Sequence, residues 1–177
     1  MTEKDSTSES VKKNDATNDV DASRAESSTS PDASGGRASG LEYFQKLMRG
    51  EVPRSPMSEL IGFRIVEVER GRAVLELDAN ERFNNGLGIA HGGLAATLLD
   101  AALGCAVNTV MPAGKVFTTL EMKVNYVRPM NARTGTVRCE ARVVHAGSRT
   151  ATASGRITDA AGKLYAHGTA TCMLFRQ

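Results

Sequence analysis

The longest apolar segment of the chain has the pattern of a buried helix. Residues 91–111 place Leu, Ala and Val in every direction around a helical axis, interrupted by one carboxylate, Asp100. The pattern predicts a helix from about 91 to 111, ended near Pro112. Because its apolar residues cover all sides, we expect it to be buried all round. One sheet would cover part of this helix, and a second subunit would have to cover the rest.

Alternating apolar and polar positions predict strands on both sides of this helix. A short amphipathic helix at 41–50 and one helical turn near 57–62 come first. In the strand predicted first after the central helix, every second residue from Thr118 to Tyr126 is expected to share one face, with Thr119 on the other. The predicted strands are two within 63–78 and four at 116–128, 134–145, 149–159 and 163–175. This order indicates an α+β domain with an antiparallel sheet.

The first 40 residues differ in composition from the rest of the chain. They hold five Lys and Arg, eight Asp and Glu, and almost no large apolar residue. Such a segment cannot bury enough surface to offset the entropy of ordering. We therefore predict a disordered extension over 1–40 and a folded domain over 41–177.

Charge and cysteine content exclude several classes of protein. The net charge of +2 is too small to favour nucleic acid or a membrane surface as a partner. The N-terminal segment lacks the apolar stretch of a signal peptide, and no run of about 20 apolar residues exists. The three cysteines have no CxxC spacing, so we expect packing thiols in a reducing compartment, the cytoplasm.

The loop before the central helix ends in His91-Gly92-Gly93. A helix N-terminus presents unpaired backbone N–H groups and the positive end of the helix dipole. Glycine lets a ligand approach that backbone closely. The Gly92 N–H, directed at a carbonyl oxygen, would polarise that carbonyl and stabilise the oxyanion formed on attack.

Asp100 is the candidate catalytic acid. An unpaired carboxylate is costly to bury, and the helix sequence around it offers no cationic partner. Apolar surroundings make a carboxylate a better base near neutral pH. It could activate water or attack a carbonyl carbon itself, and the sequence leaves both open. The structural alternative is an Asp that bonds to the backbone or to Asn108.

Three stretches together carry a resemblance to a known family: NGLGIAHGG at 85–93, TLLD at 97–100 and TTLEMKVNYVRP at 118–129. The arrangement resembles the hotdog-fold acyl-CoA thioesterases of the phenylacetate-pathway and 4-hydroxybenzoyl-CoA type, over about residues 57–175. The resemblance implies a hotdog fold, in which an antiparallel sheet wraps around a long central helix. It also implies hydrolysis of an acyl-CoA thioester to a free acid and CoA, with no added cofactor.

The resemblance also implies roles for individual residues. Asn85 would lie beside the thioester, and Gly92 would polarise its carbonyl. His91 would stabilise the loop or help to hold the carbonyl, and Thr119 would hold the attacking water. Asp rather than Glu at position 100 favours the phenylacetate type; aryl, phenylacetyl and medium-chain acyl groups all stay open as substrates.

Further residues are candidates for substrate binding. Thr97 precedes the acid by three positions and so lies on roughly the same helix face. Arg128 and the turn Gly147-Ser148-Arg149 could meet CoA phosphates, for which Arg is well suited. The histidines of the strand patterns lack metal-ligand spacing, so we expect no metal site.

The spacing between His91 and Asp100 predicts how the site is assembled. Nine residues turn a helix by about half a turn, beyond whole turns, and advance it by about 13.5 Å. One chain therefore cannot place both residues on one carbonyl, whereas two antiparallel helices across a twofold axis can. The resemblance likewise implies a homodimer with two shared sites, often within a homotetramer.

Two other functions are weighed against hydrolysis. A CoA-thioester hydratase on the same fold usually pairs its Asp with a His about five residues later. Position 105 is Cys, which argues against a hydratase. A non-catalytic acyl-CoA-binding module is the second alternative.

Overall fold

The computed structural model describes residues 38–176. The predicted disorder therefore lies outside the described residues, apart from positions 38–40. The helices are α1 (Gly40–Met48), α2 (Pro56–Ile61) and α3 (Gly92–Asn108). The strands are β1 (Arg64–Glu69), β2 (Arg72–Asp78), β3 (Lys115–Tyr126), β4 (Thr136–Ala146), β5 (Thr150–Asp159) and β6 (Leu164–Arg176). None of the helices in this part of the chain is long and apolar enough to cross a membrane.

The six strands form one antiparallel sheet in the order β1-β2-β4-β5-β6-β3. Helix α3 packs against β2, β3, β4, β5 and β6. Leu98, Leu99 and Leu103 of the helix are fully buried against inward side chains such as Leu75 and Ile157. The predicted α+β fold, with a sheet around a central helix, is confirmed.

The sheet leaves one side of α3 uncovered. Gly93 and Asp100 are exposed, and Thr97, Ala101 and Cys105 are only half-buried. These positions follow one another at helical spacing, so they form a stripe along the helix. In the single chain, therefore, the sheet covers only part of α3, as expected, and cover of the remaining stripe by a second subunit stays a prediction.

Helix α3 also ends before the predicted residue 111. The side chain of Thr109 donates to the carbonyl of Ala106 at 2.6 Å and accepts from the Gly71 N–H at 2.7 Å. Thr109 is 1% exposed, so these bonds fix the helix end against the turn between β1 and β2. A side-chain bond to a carbonyl three residues back competes with continuation of the helix.

A β-bulge in β3 reverses the predicted face of Thr119. Thr119 pairs with Cys172, but Glu121 pairs with Thr171, so Leu120 is the extra residue. An extra residue moves the following side chains to the opposite face. Thr119 thus lies on the α3 side of the sheet, as Met122 does, whereas Leu120 is 56% exposed. The predicted alternation is wrong at this point because it assumed an unbroken strand.

The cysteines occupy packing positions. Cys139 and Cys172 are buried, Cys105 is half-buried, and all three are free thiols. Burial raises the pKa of each thiol, that of Cys105 to about 12 with a smaller contribution from the negative charge of Asp100. Thiols with raised pKa values are poor nucleophiles at neutral pH.

Candidate active site

The loop between β2 and α3 is closed by its own backbone. Asn84 forms an isolated antiparallel bridge with Ala90, and the His91 N–H donates to the carbonyl of Phe83 at 2.8 Å. A short 3₁₀ turn at Glu81–Phe83 precedes this closure. These bonds fix the backbone of the loop and with it the position of His91 at the start of α3.

Asn85 is held inside this loop by three hydrogen bonds. Its backbone N–H donates to Ile89 at 2.8 Å, and its carbonyl accepts from Gly88 at 3.0 Å. Its side-chain oxygen accepts from the Leu87 N–H at 2.9 Å. Within residues 38–176, the Nδ2 group has no acceptor, so it is free to donate to a ligand.

His91 caps helix α3. Its Nδ1 accepts a hydrogen bond from the Gly93 N–H at 2.9 Å. A nitrogen that accepts carries no proton, so in the neutral ring the hydrogen lies on Nε2, which can donate. The imidazole thus stabilises the helix start, whereas the resemblance implies that it stabilises the loop or helps to hold the carbonyl.

The Gly92 N–H has no hydrogen-bond acceptor in the described part of the chain. It lies in the first turn of a 17-residue helix, where the helix dipole favours negative charge. A Cβ atom at position 92 would lie 3.3 Å from two ring carbons of Tyr126. A side chain at position 92 would crowd the Tyr126 ring, whereas glycine fits without any shift and leaves the N–H accessible.

Asn85, His91, Gly92 and Arg128 line one cavity of about 360 Å³, together with Tyr126. Arg128 is anchored there because its Nη1 donates to the carbonyl of Leu164 at 2.6 Å. The sequence analysis did not single out Tyr126. Alternation places Tyr126 on the same face as Met122, but no local motif indicates that this face meets Gly92.

Asp100 lies in a different cavity, of about 520 Å³, with Thr97 and Thr119. The Thr119 hydroxyl donates to Oδ1 of Asp100 at 3.0 Å. Among the described residues this is the one hydrogen bond to the Asp100 carboxylate, and no cation forms an ion pair with it. The structural alternative of an Asp bonded to Asn108 is therefore not observed.

The structure does not bring the two groups of candidate residues together in one chain. Asn85, His91 and Gly92 face one cavity and Asp100 faces the other. The turn Gly147-Ser148-Arg149 is exposed and lines neither cavity. A single protomer therefore carries two incomplete halves of the arrangement that the sequence predicts.

The exposed turn has a basic neighbour that the sequence analysis missed. The Lys115 ammonium donates to the carbonyl of Ser148 at 3.4 Å, and the carbonyl of Arg149 accepts from the Leu174 N–H at 2.8 Å. Lys115 and Arg149 thus lie on the same end of the sheet. Only the pairing of β3, β5 and β6 brings them near, and no local motif indicates it.

Comparison with known proteins gives a family match and close structural likeness. The family model described as Thioesterase superfamily matches residues 87–166. A 1,4-dihydroxy-2-naphthoyl-CoA hydrolase from Listeria monocytogenes is 31% identical over 108 residues, 61% of this chain and 86% of that protein.

Solved structures give the same picture. A phenylacetic acid degradation-related protein from Ralstonia eutropha JMP134 is 30% identical, with a TM-score of 0.68 over 74% of this chain and 98% of that one. The PaaI protein of the Escherichia coli phenylacetic acid degradation operon, at 22% identity, has the same fold, with a TM-score of 0.68 over 78% and 96%.

Proposed function

Because the chain belongs to the thioesterase superfamily, a family of hydrolases, and has the hotdog fold, we propose that it hydrolyses acyl-CoA thioesters to a free acid and CoA. One observation carries the proposal. Helix α3 starts with a backbone N–H that has no acceptor and carries, eight residues later, a carboxylate that has no cation. A donor for a developing oxyanion and a base or nucleophile are what this hydrolysis needs.

The two groups meet when two copies of the chain pair. Strand β3 is an edge strand, because it pairs with β6 alone among the described residues. Its other edge, 12 residues long, offers unpaired backbone groups to a second copy. Antiparallel pairing about a twofold axis would set the exposed stripe of one α3 against that of its partner. Gly92 of each chain would then face Asp100 of the other.

In the proposed reaction the thioester carbonyl oxygen accepts from the Gly92 N–H. The free Nδ2 of Asn85 and the Nε2–H of His91 are further donors on the same side. As negative charge develops on that oxygen, these fixed donors stabilise it without reorganisation. Their cavity also contains Arg128, so the CoA portion would extend towards a cation that suits its phosphates.

The carboxylate acts from the opposite side of the carbonyl. The Thr119 hydroxyl holds Oδ1, which leaves Oδ2 of Asp100 for the reaction. As a base it would take a proton from a water whose oxygen attacks the carbonyl carbon. The C–S bond then breaks, and the sulfur leaves as the CoA thiol with that proton. As a nucleophile Asp100 would attack the carbonyl carbon itself, and the C–S bond would break to release CoA as a thiolate, which takes a proton from water. Water then hydrolyses the mixed anhydride that remains to the free acid and the Asp100 carboxylate.

A single turnover in ¹⁸O water distinguishes these two routes. If Asp100 activates water, the product acid of the first turnover carries ¹⁸O and the protein carries none. If Asp100 attacks and water opens the anhydride at the aspartyl carbonyl carbon, the label appears in the carboxylate of Asp100. Water attack at the acyl carbon would put the label in the product acid, so label in Asp100 is the result that identifies the nucleophilic route. Mass spectrometry of the peptide that contains Asp100 reads the result.

Other parts of the proposal concern binding and assembly. The exposed Arg149 and Lys115 are proposed to bind CoA phosphates at the outer end of the sheet. Thr97, one helical turn before Asp100 in the same cavity, is proposed to contact the substrate. We further propose that two dimers associate as a homotetramer. A cytoplasmic setting is expected from the sequence and stays a prediction.

The test is a panel of acyl-CoA esters incubated with the pure protein and a thiol reagent. Release of free CoA thiol at a rate proportional to protein concentration is expected. A hydratase would consume an enoyl-CoA without thiol release, and a binding module would bind acyl-CoA and leave it intact. Either result contradicts the proposal. The protein incubated with the thiol reagent but without substrate is the control. The reagent should react only slowly with the protein's own cysteines, because the pKa values of their thiols are raised.

A further inference from the structure

Helix α1 lies outside the segment that the family model matches, and specific contacts fix it to the domain. It lies before residue 87, where that match begins. The Gly40 N–H donates to the carbonyl of Met111 at 3.2 Å, and a Cβ atom at Gly40 would overlap the carbonyl of Asn108. Ser39 caps the helix, with Glu42 as its capping-box partner. These contacts hold α1 in one position against the end of α3, so α1 is an integral element of the domain.

Helix α1 and the start of α2 form a wall of the cavity that contains Asp100. Four side chains of α1 line it: Tyr43, Phe44, Leu47 and Met48. Met57 of α2 continues this wall and is 48% exposed. Such a concentration of half-exposed apolar side chains around a concave space indicates a ligand site.

The opposite wall is built from small residues of α3. Ala101, Gly104 and Cys105 face the cavity beyond Asp100. A Cβ atom at Gly104 would lie 3.0 Å from the ring of Phe117, so glycine is what lets this ring pack against the helix. Large side chains come from α1 and small ones from α3, and a space is left between them.

The size of the space indicates what it holds. Its volume is about 520 Å³. An apolar cavity of about 150 Å³ already binds benzene. In the single chain a phenyl ring would therefore leave most of this cavity empty. The partner's helix would narrow the side formed by the α3 stripe, and we expect the part between α1 and α3 to take an acyl group of fused rings or a medium to long alkyl chain.

We propose that this cavity is the acyl pocket, that it selects bulky apolar acyl groups, and that α1 determines this selectivity. The inference rests on the proposed function, because Asp100 and Thr119 place the reacting carbonyl at the polar side of the same cavity. The apolar walls then receive the acyl group, while CoA extends away from them.

The experiment fills the pocket from α1. Leu47→Trp and Met48→Trp place an indole in the cavity, and Gln45→Trp places one on an exposed α1 position that does not line it. Met48 is 45% exposed, so its substitution needs little repacking. Each variant is assayed with acetyl-CoA, benzoyl-CoA, 2-naphthoyl-CoA and dodecanoyl-CoA.

For the wild type we expect the highest kcat/KM with the two bulky esters. Leu47→Trp and Met48→Trp should lower kcat/KM for these esters by about tenfold or more, with little change for acetyl-CoA, since a pocket discriminates through the volume it offers. Gln45→Trp should keep the wild-type order. If the three variants share one order of substrates, the pocket assignment is wrong although hydrolysis itself stands. A wild type that prefers benzoyl-CoA also overturns it.

A binding measurement separates this inference from the proposed function. The chain has no tryptophan, so the introduced indole is the one such fluorophore. In an Asp100→Asn background, dodecanoyl-CoA should shift the emission of Leu47→Trp and Met48→Trp but not that of Gln45→Trp. If the wild type cleaves no ester, the proposed function fails, and this shift still decides what the cavity binds. No shift at either cavity position overturns the pocket.

Discussion

Two regions of this molecule hold carboxylates in opposite ways. On the outer face of β1, β2 and β4, Glu67 is paired with Arg72 and Arg138, and Glu140 is paired with Arg72 and Arg142. Hydrogen bonds from the guanidinium groups hold the pKa values of both carboxyls below their ordinary value, chiefly the bond from Arg138 to Glu67 and that from Arg72 to Glu140. We call these five residues the ion-pair ladder.

On the open side of α3, the Asp100 carboxylate has one hydroxyl as its partner. Within residues 38–176 it forms no ion pair. The acids of the ladder are paired with guanidinium groups, and the acid of the candidate site is not. This difference is consistent with the proposal that Asp100 serves a ligand or a reaction, and the predictions below test it from the largest expected effect to the smallest.

The largest effect is expected for Asp100→Asn. The amide keeps the shape and can still accept from Thr119, but it is neither a base nor a nucleophile. Turnover should fall by about 10²–10⁴-fold in the thiol-release assay, with Tm nearly unchanged. Glu67→Gln in the ladder is the matched control and should keep wild-type turnover. Near wild-type turnover in Asp100→Asn would make Asp100 a structural residue and remove the distinction between the two regions.

The next effect concerns the sharing of sites between chains. Asn85→Ala and Asp100→Asn, each inactive alone, are refolded together in equal amounts. About half the dimers are then mixed, and in each of these one site combines both lesions and the other has none. Activity should recover to about a quarter of wild type.

Differently tagged chains and a pull-down show whether the chains exchange. Full exchange without regained thiol release would contradict the cross-subunit site. Asp100 would then have to act with donors of its own chain, against the separation of the two cavities.

Much of the fold could be predicted because it rests on local patterns. The alternation over 63–78 and the apolar run after His91 depend on residues close in sequence, and the structure confirms the elements they predict. The family and the fold were both predicted from the motif stretches, and the comparisons confirm them. The roles of the site residues stay predictions.

The remaining features depend on contacts between distant segments. The bulge at Leu120 exists because of its pairing with β6, and the ladder joins Glu67 to Arg138, 71 positions apart. The sequence predicts that one sheet leaves part of α3 uncovered, but an apolar pattern does not say which face of the helix that is. The cavity between α1 and α3 forms because Gly40 packs closely against the backbone of Asn108, and no local motif indicates this contact.

A smaller effect, on stability alone, is expected for Arg72→Gln in the ladder. Arg72 contacts Glu67, Glu69 and Glu140. Because these partners are partly exposed, the free energy of unfolding should fall by only about 1 kcal/mol at pH 7. Turnover should be unchanged.

The pH dependence of this difference follows from the lowered pKa values of Glu67 and Glu140. Folded carboxyls with lowered pKa values contribute stability that is fully present above about pH 4.5, the ordinary value, and is lost as the pH falls through the folded values. Urea unfolding of both proteins from pH 7 to pH 3 should show the two curves converge below about pH 4.5. A constant difference across that range would show that Arg72 acts through packing rather than charge.

The smallest effect concerns a third kind of acid, one that caps a helix. Glu42 accepts from the Ser39 backbone N–H at 2.7 Å and from its hydroxyl at 2.9 Å, and these bonds lower the pKa of its carboxyl.

We propose that the folded domain begins at residue 38, slightly before the boundary predicted from composition. Deletion of residues 1–37 should leave Tm and turnover nearly unchanged, because their composition offers little apolar surface to bury. Deletion of residues 1–40 also removes the cap and the bond from Gly40 to Met111, so it should lower Tm by about 2–4 °C. Equal Tm values for the two truncations would show that the cap contributes nothing, and a large loss on deleting 1–37 would show that the extension packs on the domain.

Because α1 lines the cavity of Asp100, the longer deletion should also weaken hydrolysis of dodecanoyl-CoA more than that of acetyl-CoA, whereas Arg72→Gln should affect the two esters equally.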